Sequence, residues 1–405
     1  MEEFKETFRK LVTVRKVKEI KRIDGADLIE VAVVDGWQCV VKRDEFKVGD
    51  LAAYFEIDSF LPLEPEFLFL EKSSKRRMGE FEGLRLKTIK LRGVLSQGLL
   101  LPYAVIERFV TKDDFVLGAD ITDALGVKKY EQPIPAELVG QVRGSFPSFI
   151  QKTDQERVQN IYDNYSCEFV KNDNEQIIAE LESFGDKYID RINELKNESA
   201  TINIIKDLSF EETLKLDGTS CTFYVIDVTK IETKVTDDMD IQDNVYFGHC
   251  SRNLDTKDKD TTPWQIARSL KIKDNLIAFQ KRTGRNIALQ GELMGPGIQG
   301  NREKLSKCEF YLFDVWDIDE QRYFTRAERE ELLIEIPNVN HAPVLNKEIK
   351  VFQQFKNIDD LLEYSNGKSI NHDIREGIVF KSTELVNGRT VSFKVISNQF
   401  LLKEK

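Results

Sequence analysis

The sequence predicts an α+β protein in two parts, a small N-terminal β-barrel and a larger region of antiparallel sheets carrying a few helices. Three observations predict it. Short strand-like runs separated by glycine turns crowd the first hundred or so residues. From Ser209 onward strand-like runs dominate without a regular βαβ alternation. Between them lies a stretch punctuated by Gly118, Gly126, Pro133, Pro135, Gly140 and Gly144.

Each element follows from local pattern. Leu28–Val34 and Trp37–Val41 flank Asp35-Gly36, the signal of a tight hairpin. Val48-Gly49-Asp50 then turns the chain into a strand over Leu51–Ile57. Leu84–Arg92 alternates, with bases on one face and Leu84, Leu86, Ile89 and Leu91 near the other, and slips once at Thr88 as a bulge would make it. A barrel built this way is OB-like and would carry a nucleic-acid face. Residues 154–199 read as helical, with apolar positions at three- and four-residue steps. Strands are predicted at 209–216, 220–228, 244–250, 286–292, 309–316, 376–382 and 389–396, and helices at 263–283, 325–334 and 358–365. The domain reading is 1–105 barrel, 106–145 connector and 146–405 second domain.

Composition narrows the class. The chain is 41% apolar and 32% charged, as an ordinary soluble protein is. No apolar run approaches the roughly 18 residues of a membrane span, and the start lacks the apolar core of a signal peptide. The five cysteines are scattered and odd in number, which argues against a disulfide framework and for an intracellular setting. Three histidines without ligand spacing do not favour a histidine-based or zinc site. Net charge is −11, yet Lys72, Lys75, Arg76, Arg77, Arg85, Lys87, Lys90 and Arg92 face only Glu80 and Glu82 in the same run. That local excess of cations suits phosphates.

The chemistry centres on Glu211-Glu-Thr-Leu-Lys-Leu-Asp-Gly-Thr-Ser220. A lysine on an apolar strand, two residues before Asp217-Gly218, is an amine nucleophile if it sheds its proton from a reference pKa of about 10.4. Ser251-Arg252-Asn253, Gly291-Glu292, Phe313-Asp314, Arg375-Glu376-Gly377 through Lys381, and Ser392-Phe393-Lys394 follow in order. This set resembles motifs I, Ia, III, IIIa, IV and V of the covalent nucleotidyltransferase superfamily, which holds ATP-dependent ligases and capping enzymes. The resemblance implies an ATP-grasp-like ligase adenylation domain of antiparallel sheets with helices. Lys215 would be the nucleophile. Glu292 and Glu376 would hold the ribose and a hydrated Mg2+ or Mn2+. Phe313 would stack on adenine, Lys394 would contact the α-phosphate, and Arg252 the ribose or the incoming strand. Asp217, Gly218 and Lys381 complete the nucleotide site, and Lys215, Lys394 and Glu376 are the catalytic candidates. Asp217, Lys381 and Arg375 could also shape the loop or pair with one another. Glu212 and His249 read as structural.

Little chain follows Lys394, which leaves no room for the C-terminal OB domain of DNA ligases and capping enzymes. The barrel lies at the N-terminus instead. That layout, with Phe146–Asp154 and Glu156–Asn160 at the junction, resembles nick-sealing RNA ligases with an N-terminal OB domain. The likeness implies an ATP-dependent RNA ligase that joins a 3′-OH to a 5′-phosphate in nicked duplexes with RNA on the 3′-OH side. The partner is nucleic acid, with no membrane and no protein partner evident. Another end preference, or an unreactive nucleic-acid-binding homologue, are the competing classes. Two departures stand out: the 161–200 stretch is longer than the family usually has, and Ser392 replaces the first lysine of motif V.

Overall fold

The computed structural model describes residues 10–131, 140–161, 178–179, 181–183, 189–386 and 388–404. Contacts divide the chain into two compact units, residues 1–135 with 402–405, and residues 136–401. The chain is an N-terminal OB fold followed by a mixed α/β region of antiparallel sheets, as the sequence predicts.

Among the described residues of the first unit twelve strands run in order: β1 Val12–Lys16, β2 Glu19–Arg22, β3 Ile29–Val34, β4 Trp37–Lys42, β5 Leu51–Phe55, β6 Ser59–Leu61, β7 Lys75–Met78, β8 Phe81–Arg85, β9 Thr88–Leu91, β10 Val94–Gln97, β11 Leu99–Pro102 and β12 Lys128–Lys129. They form sheets β1-β5-β11, β2-β3-β4, β12-β6-β8-β7 and β9-β10. The β3–β4 hairpin turns on Asp35 and Gly36, both at positive φ, as a two-residue type I′ turn requires. The strand predicted over 84–92 divides. β8 pairs β6 and β7, whereas β9 pairs β10, so the chain bends where it changes partners. Leu84 and Leu86 are buried, but Ile89 and Leu91 are exposed. Residues beyond 105 build this unit too: Ile106, Val110, Phe115, Ile121, Leu125 and Val127 pack with Val12, Val14, Phe55 and Leu61.

The second unit holds β13 Val142–Ser145, β14 Glu156–Arg157, β15 Phe210–Lys215, β16 Thr219–Asp227, β17 Ile241–Gln242, β18 Val245–Cys250, β19 Leu254–Thr256, β20 Ile287–Met294, β21 Glu309–Asp317, β22 Arg322–Tyr323, β23 Asn340–His341, β24 Val344–Ile349, β25 Gly377–Val386 and β26 Arg389–Ile396. A nine-stranded sheet runs β13-β19-β18-β16-β20-β21-β22, with β17 on β18 and β23 on β21. A five-stranded sheet runs β14-β26-β25-β15-β24. The helices Thr262–Ser269 and Ile272–Thr283 pack Trp264, Ile272 and Leu276 under the larger sheet. The single helix predicted over 263–283 breaks at Lys271, whose φ is +57°. Phe210, Phe380 and Phe393 centre the core of the smaller sheet.

The helix predicted over 154–199 corresponds to two things. Residues 156–160 are a short strand and one 3-10 turn, and a helix spans Ile189–Asp207. Residues 162–177, 180 and 184–188 of that prediction, with Cys167, Pro133 and Pro135, lie outside the described residues. Cys39, Cys221, Cys250 and Cys308 are free thiols. No described helix is long and apolar enough to cross a membrane.

Candidate active site

The site lies where the two sheets of the second unit meet. β15 belongs to the smaller sheet and β16 to the larger, and Leu216-Asp217-Gly218 carries the chain from one to the other. Lys215 ends β15 opposite Gly377 of β25, which brings it beside Glu376. β16 runs against β20 with Ser220 opposite Glu292. The register thus assembles Lys215, Asp217, Gly218, Glu292 and Glu376 from three distant stretches.

Lys215 Nζ donates to Glu376 Oε2 at 2.7 Å. Burial pushes the Lys215 pKa down, but Glu376, Glu292 and Asp217 outweigh it and the net direction is up. The site therefore holds the amine protonated. Burial, neighbouring cations or a metal would favour the neutral amine. The neighbours are carboxylates, so the sign reverses. Glu292 is pushed up to about 7, first by burial and then by Glu376 and Asp217 against the pull of Lys215. Its Oε1 accepts from the Gly218 amide at 3.0 Å. Burial and Glu376 also raise Asp217, against the pull of Arg302.

Asp217 pairs with Arg302 at 3.3 Å, not with Lys381 or Arg375. Arg302 also donates to the Ile374 carbonyl at 2.9 Å, so it ties the Lys-x-Asp-Gly loop to the approach of β25. Arg375 is buried and donates to the carbonyls of Ser365 and Tyr364 at 2.8 and 2.7 Å, at the end of the helix Ile358–Tyr364. Lys381 is buried too. It pairs with Asp314 at 2.9 Å and donates to the Phe313 carbonyl, fastening β25 to β21. Burial moves its pKa down. The half-buried Phe313 packs in a small apolar cluster with Leu214 and Leu216, the two neighbours of Lys215.

Lys394 and Arg252 converge on one carboxylate. Each comes within 3.6 Å of Asp154 Oδ1. Asp154 precedes β14, which runs parallel to β26 with Arg157 opposite Lys394. The sequence marks this junction but gives Asp154 no role of its own, and nothing in it singles out Arg302. Glu212 is buried and accepts from Tyr364 Oη at 3.0 Å and from Asn346. His249 is buried against Thr256, and burial drops its pKa to about 3, so it is neutral. Both are structural.

Of the basic residues in the first unit, Lys75 is paired with Glu71 and Glu82, and Arg85 with Asp58. Lys72, Arg76, Arg77, Lys87, Lys90 and Arg92 are exposed.

Comparison with known proteins agrees with this layout. A family model described as an OB-fold domain matches residues 11–103, and one described as RNA ligase matches residues 208–396. The Naegleria gruberi RNA ligase with PPi is 36% identical, with a TM-score of 0.69 over 98% of this chain and 99% of that one. Structures of variants of that ligase match equally, one with AMP and Mn over 98% and 99%, another with ATP and Mn over 97% and 99%, each with 36% identity and a TM-score of 0.69. No curated protein matches. At that identity over nearly its whole length, with an OB-fold domain ahead of an RNA ligase domain, the chain belongs to the ATP-dependent RNA ligase family.

Proposed function

We propose that this enzyme seals breaks between a 3′-OH and a 5′-phosphate in duplexes with RNA on the 3′-OH side, through an AMP carried on Lys215. The observation that carries the reading is the Lys215–Glu376 hydrogen bond of 2.7 Å, set among the carboxylates of Glu292 and Asp217 at the meeting of two sheets.

The chemistry follows from that geometry. Lys215 releases its proton along the hydrogen bond to Glu376 and attacks the α-phosphate of ATP. A nitrogen–phosphorus bond forms, and the bond to pyrophosphate breaks. Lys394 neutralises charge on the α-phosphate as it develops. Phe313 offers a ring to adenine, and Arg252 contacts the ribose or the incoming strand. Lys381 holds Phe313 in place through its backbone carbonyl. AMP then passes to the 5′-phosphate, and the 3′-hydroxyl displaces it to form the phosphodiester.

The residues also fit a divalent cation. The donor set is carboxylate oxygen, and Glu292 is pushed up to about 7 first by burial and then by the like charges of Glu376 and Asp217, a repulsion that a cation would relieve. Among the described residues no group of three or more His, Cys, Asp or Glu is arranged to grip a metal directly. Glu292 and Glu376 would hold a cation there through its waters, of which magnesium keeps several. It would supply charge neutralisation at the phosphates. The Naegleria ligase structures with ATP and Mn and with AMP and Mn support the same pairing of nucleotide and metal. The exposed bases Lys72, Arg76, Arg77, Lys87, Lys90 and Arg92 would take the duplex backbone, with Lys75 and Arg85 released from or shared with their acids.

Intact mass after incubation with ATP and magnesium tests the first step. Wild type should gain one AMP and Lys215→Ala none. An adduct on both, or on neither after bound AMP is stripped, sinks the assignment. A panel of nicked RNA, nicked DNA and single strands then reads the end preference.

A further inference from the structure

The outward face of the four-stranded sheet in the first unit has a chemistry that phosphate contacts do not use. Leu61 and Leu84 pair in register and point into the core, so Phe60 and Arg85, the adjacent pair, point away from it. The same face carries Lys128, opposite Phe60, then Phe81, four positions before Arg85 on its strand and opposite Met78, and Arg76, opposite Gly83. The Phe60 ring lies against Gly83. A Cβ on Gly83 would sit 2.6 Å from that ring, so the ring occupies the space a side chain would take. Tyr130 packs 5.7 Å from Phe60, and Arg85 lies 4.3 Å over Tyr130 while paired with Asp58. Phe60, Tyr130 and Arg85 are thus a fixed floor. Phe81 is different. It remains 59% exposed, with Lys128 Nζ 4.2 Å from the centre of its ring and exposed Arg76 on the neighbouring strand.

We infer that Phe81 is a stacking platform for one unpaired nucleobase of an RNA strand, with Lys128 and Arg76 taking the phosphates beside it. Every base has a π-face, and an aromatic ring flanked by cations on a rigid sheet is how OB-type surfaces hold single strands. Against the acidic balance of the whole chain, this cationic, aromatic face is complementary to nucleic acid in charge. The inference rests on the ligase reading above and adds to it a site for bases outside the duplex, as at a frayed end or overhang.

Fluorescence anisotropy with a labelled single-stranded RNA tests it on the full chain. Phe81→Ala should weaken binding at least about fivefold while the salt dependence keeps its slope, because no charge is lost. Arg76→Gln should lower that slope by about one. Phe81→Trp should bind as wild type does, and its added tryptophan emission should be quenched by RNA. Phe81 is exposed, and an unchanged thermal midpoint confirms that each variant folds. Undiminished binding by Phe81→Ala, or Phe81→Trp emission indifferent to RNA, overturns this inference alone. Failure of wild type to bind either single-stranded or nicked duplex RNA overturns it together with the reading beneath it.

Discussion

At the scale of single residues, the site is an excess of negative charge held close to one amine. Glu292 shows the consequence. Its folded pKa of about 7 lies above the unfolded value of roughly 4.3, so ionising it costs stability. The cost is absent below the unfolded value, grows as pH rises, and is complete above the folded value. Glu292→Gln removes it and keeps an oxygen for the Gly218 amide. Without ATP and metal, the variant should be more stable than wild type by about 1 kcal/mol at pH 8, a value discounted for partial exposure. Thermal midpoints at pH 8 and pH 5 check this. A gap that does not shrink toward pH 5 contradicts it. Lys215, Glu292 and Glu376 were readable as candidates in the sequence because each sits in a short string that resembles a family motif. Arg302 and Asp154 were not. Their meaning lies in partners far along the chain, Asp217 for one and Arg252 with Lys394 for the other, and their immediate neighbours carry no signal.

At the scale of elements, alternation and turn residues made the long strands legible, and partner changes were what hid the rest. The run 84–92 looked like one strand because its alternation is nearly continuous. It is two, because β8 and β9 belong to different sheets. The run 263–283 looked like one helix because its apolar spacing continues through Lys271, yet that residue is left-handed. β14 is too short to show a pattern at all, although it carries Asp154 to Lys394. The β18–β19 hairpin gives a prediction at this scale. His249 on β18 is opposite Thr256 on β19, and Trp264 of the following helix also donates to Thr256, at 3.2 Å. The buried imidazole stays neutral down to about pH 3, whereas in the unfolded chain it protonates near 6.5. Its stability contribution is therefore full above 6.5 and declines as pH falls through that value, by up to about 1.4 kcal/mol per pH unit. His249→Asn keeps a polar atom near Thr256 but cannot titrate. It should be less stable than wild type at pH 7, with a flatter loss between pH 7 and pH 5 in denaturant melts. Parallel pH profiles would show that the hairpin does not feel this histidine.

At the scale of the whole molecule, the order of the parts could be read from the positions of the motifs, but the order of strands within each sheet could not. Sheets are closed by pairs such as β1 with β5 and β11, or β15 with β24 and β25, whose choice depends on packing across the core. The limit of the first unit is a case of the same kind. Punctuation by glycine and proline marks 106–145 as connecting chain. In the structure the backbone at 118–121 bonds to β1, with the amides of Gly118 and Ile121 donating to Val14 and Val12. Ile106, Val110, Phe115, Ile121, Leu125 and Val127 are buried there. Their burial is worth on the order of 10 kcal/mol to the first unit. Where the chain is cut should therefore decide what the remainder does. A protein starting at residue 106 carries those side chains without the strands that cover them and should aggregate or bind a hydrophobic dye. One starting at residue 136 leaves the second unit with its own cores intact. It should unfold cooperatively, as read by scanning calorimetry. It should also lose sealing of nicked RNA duplexes, because the basic face and the Phe81 platform leave with the first unit. Undiminished sealing by the chain that starts at 136 would remove the first unit from substrate recognition.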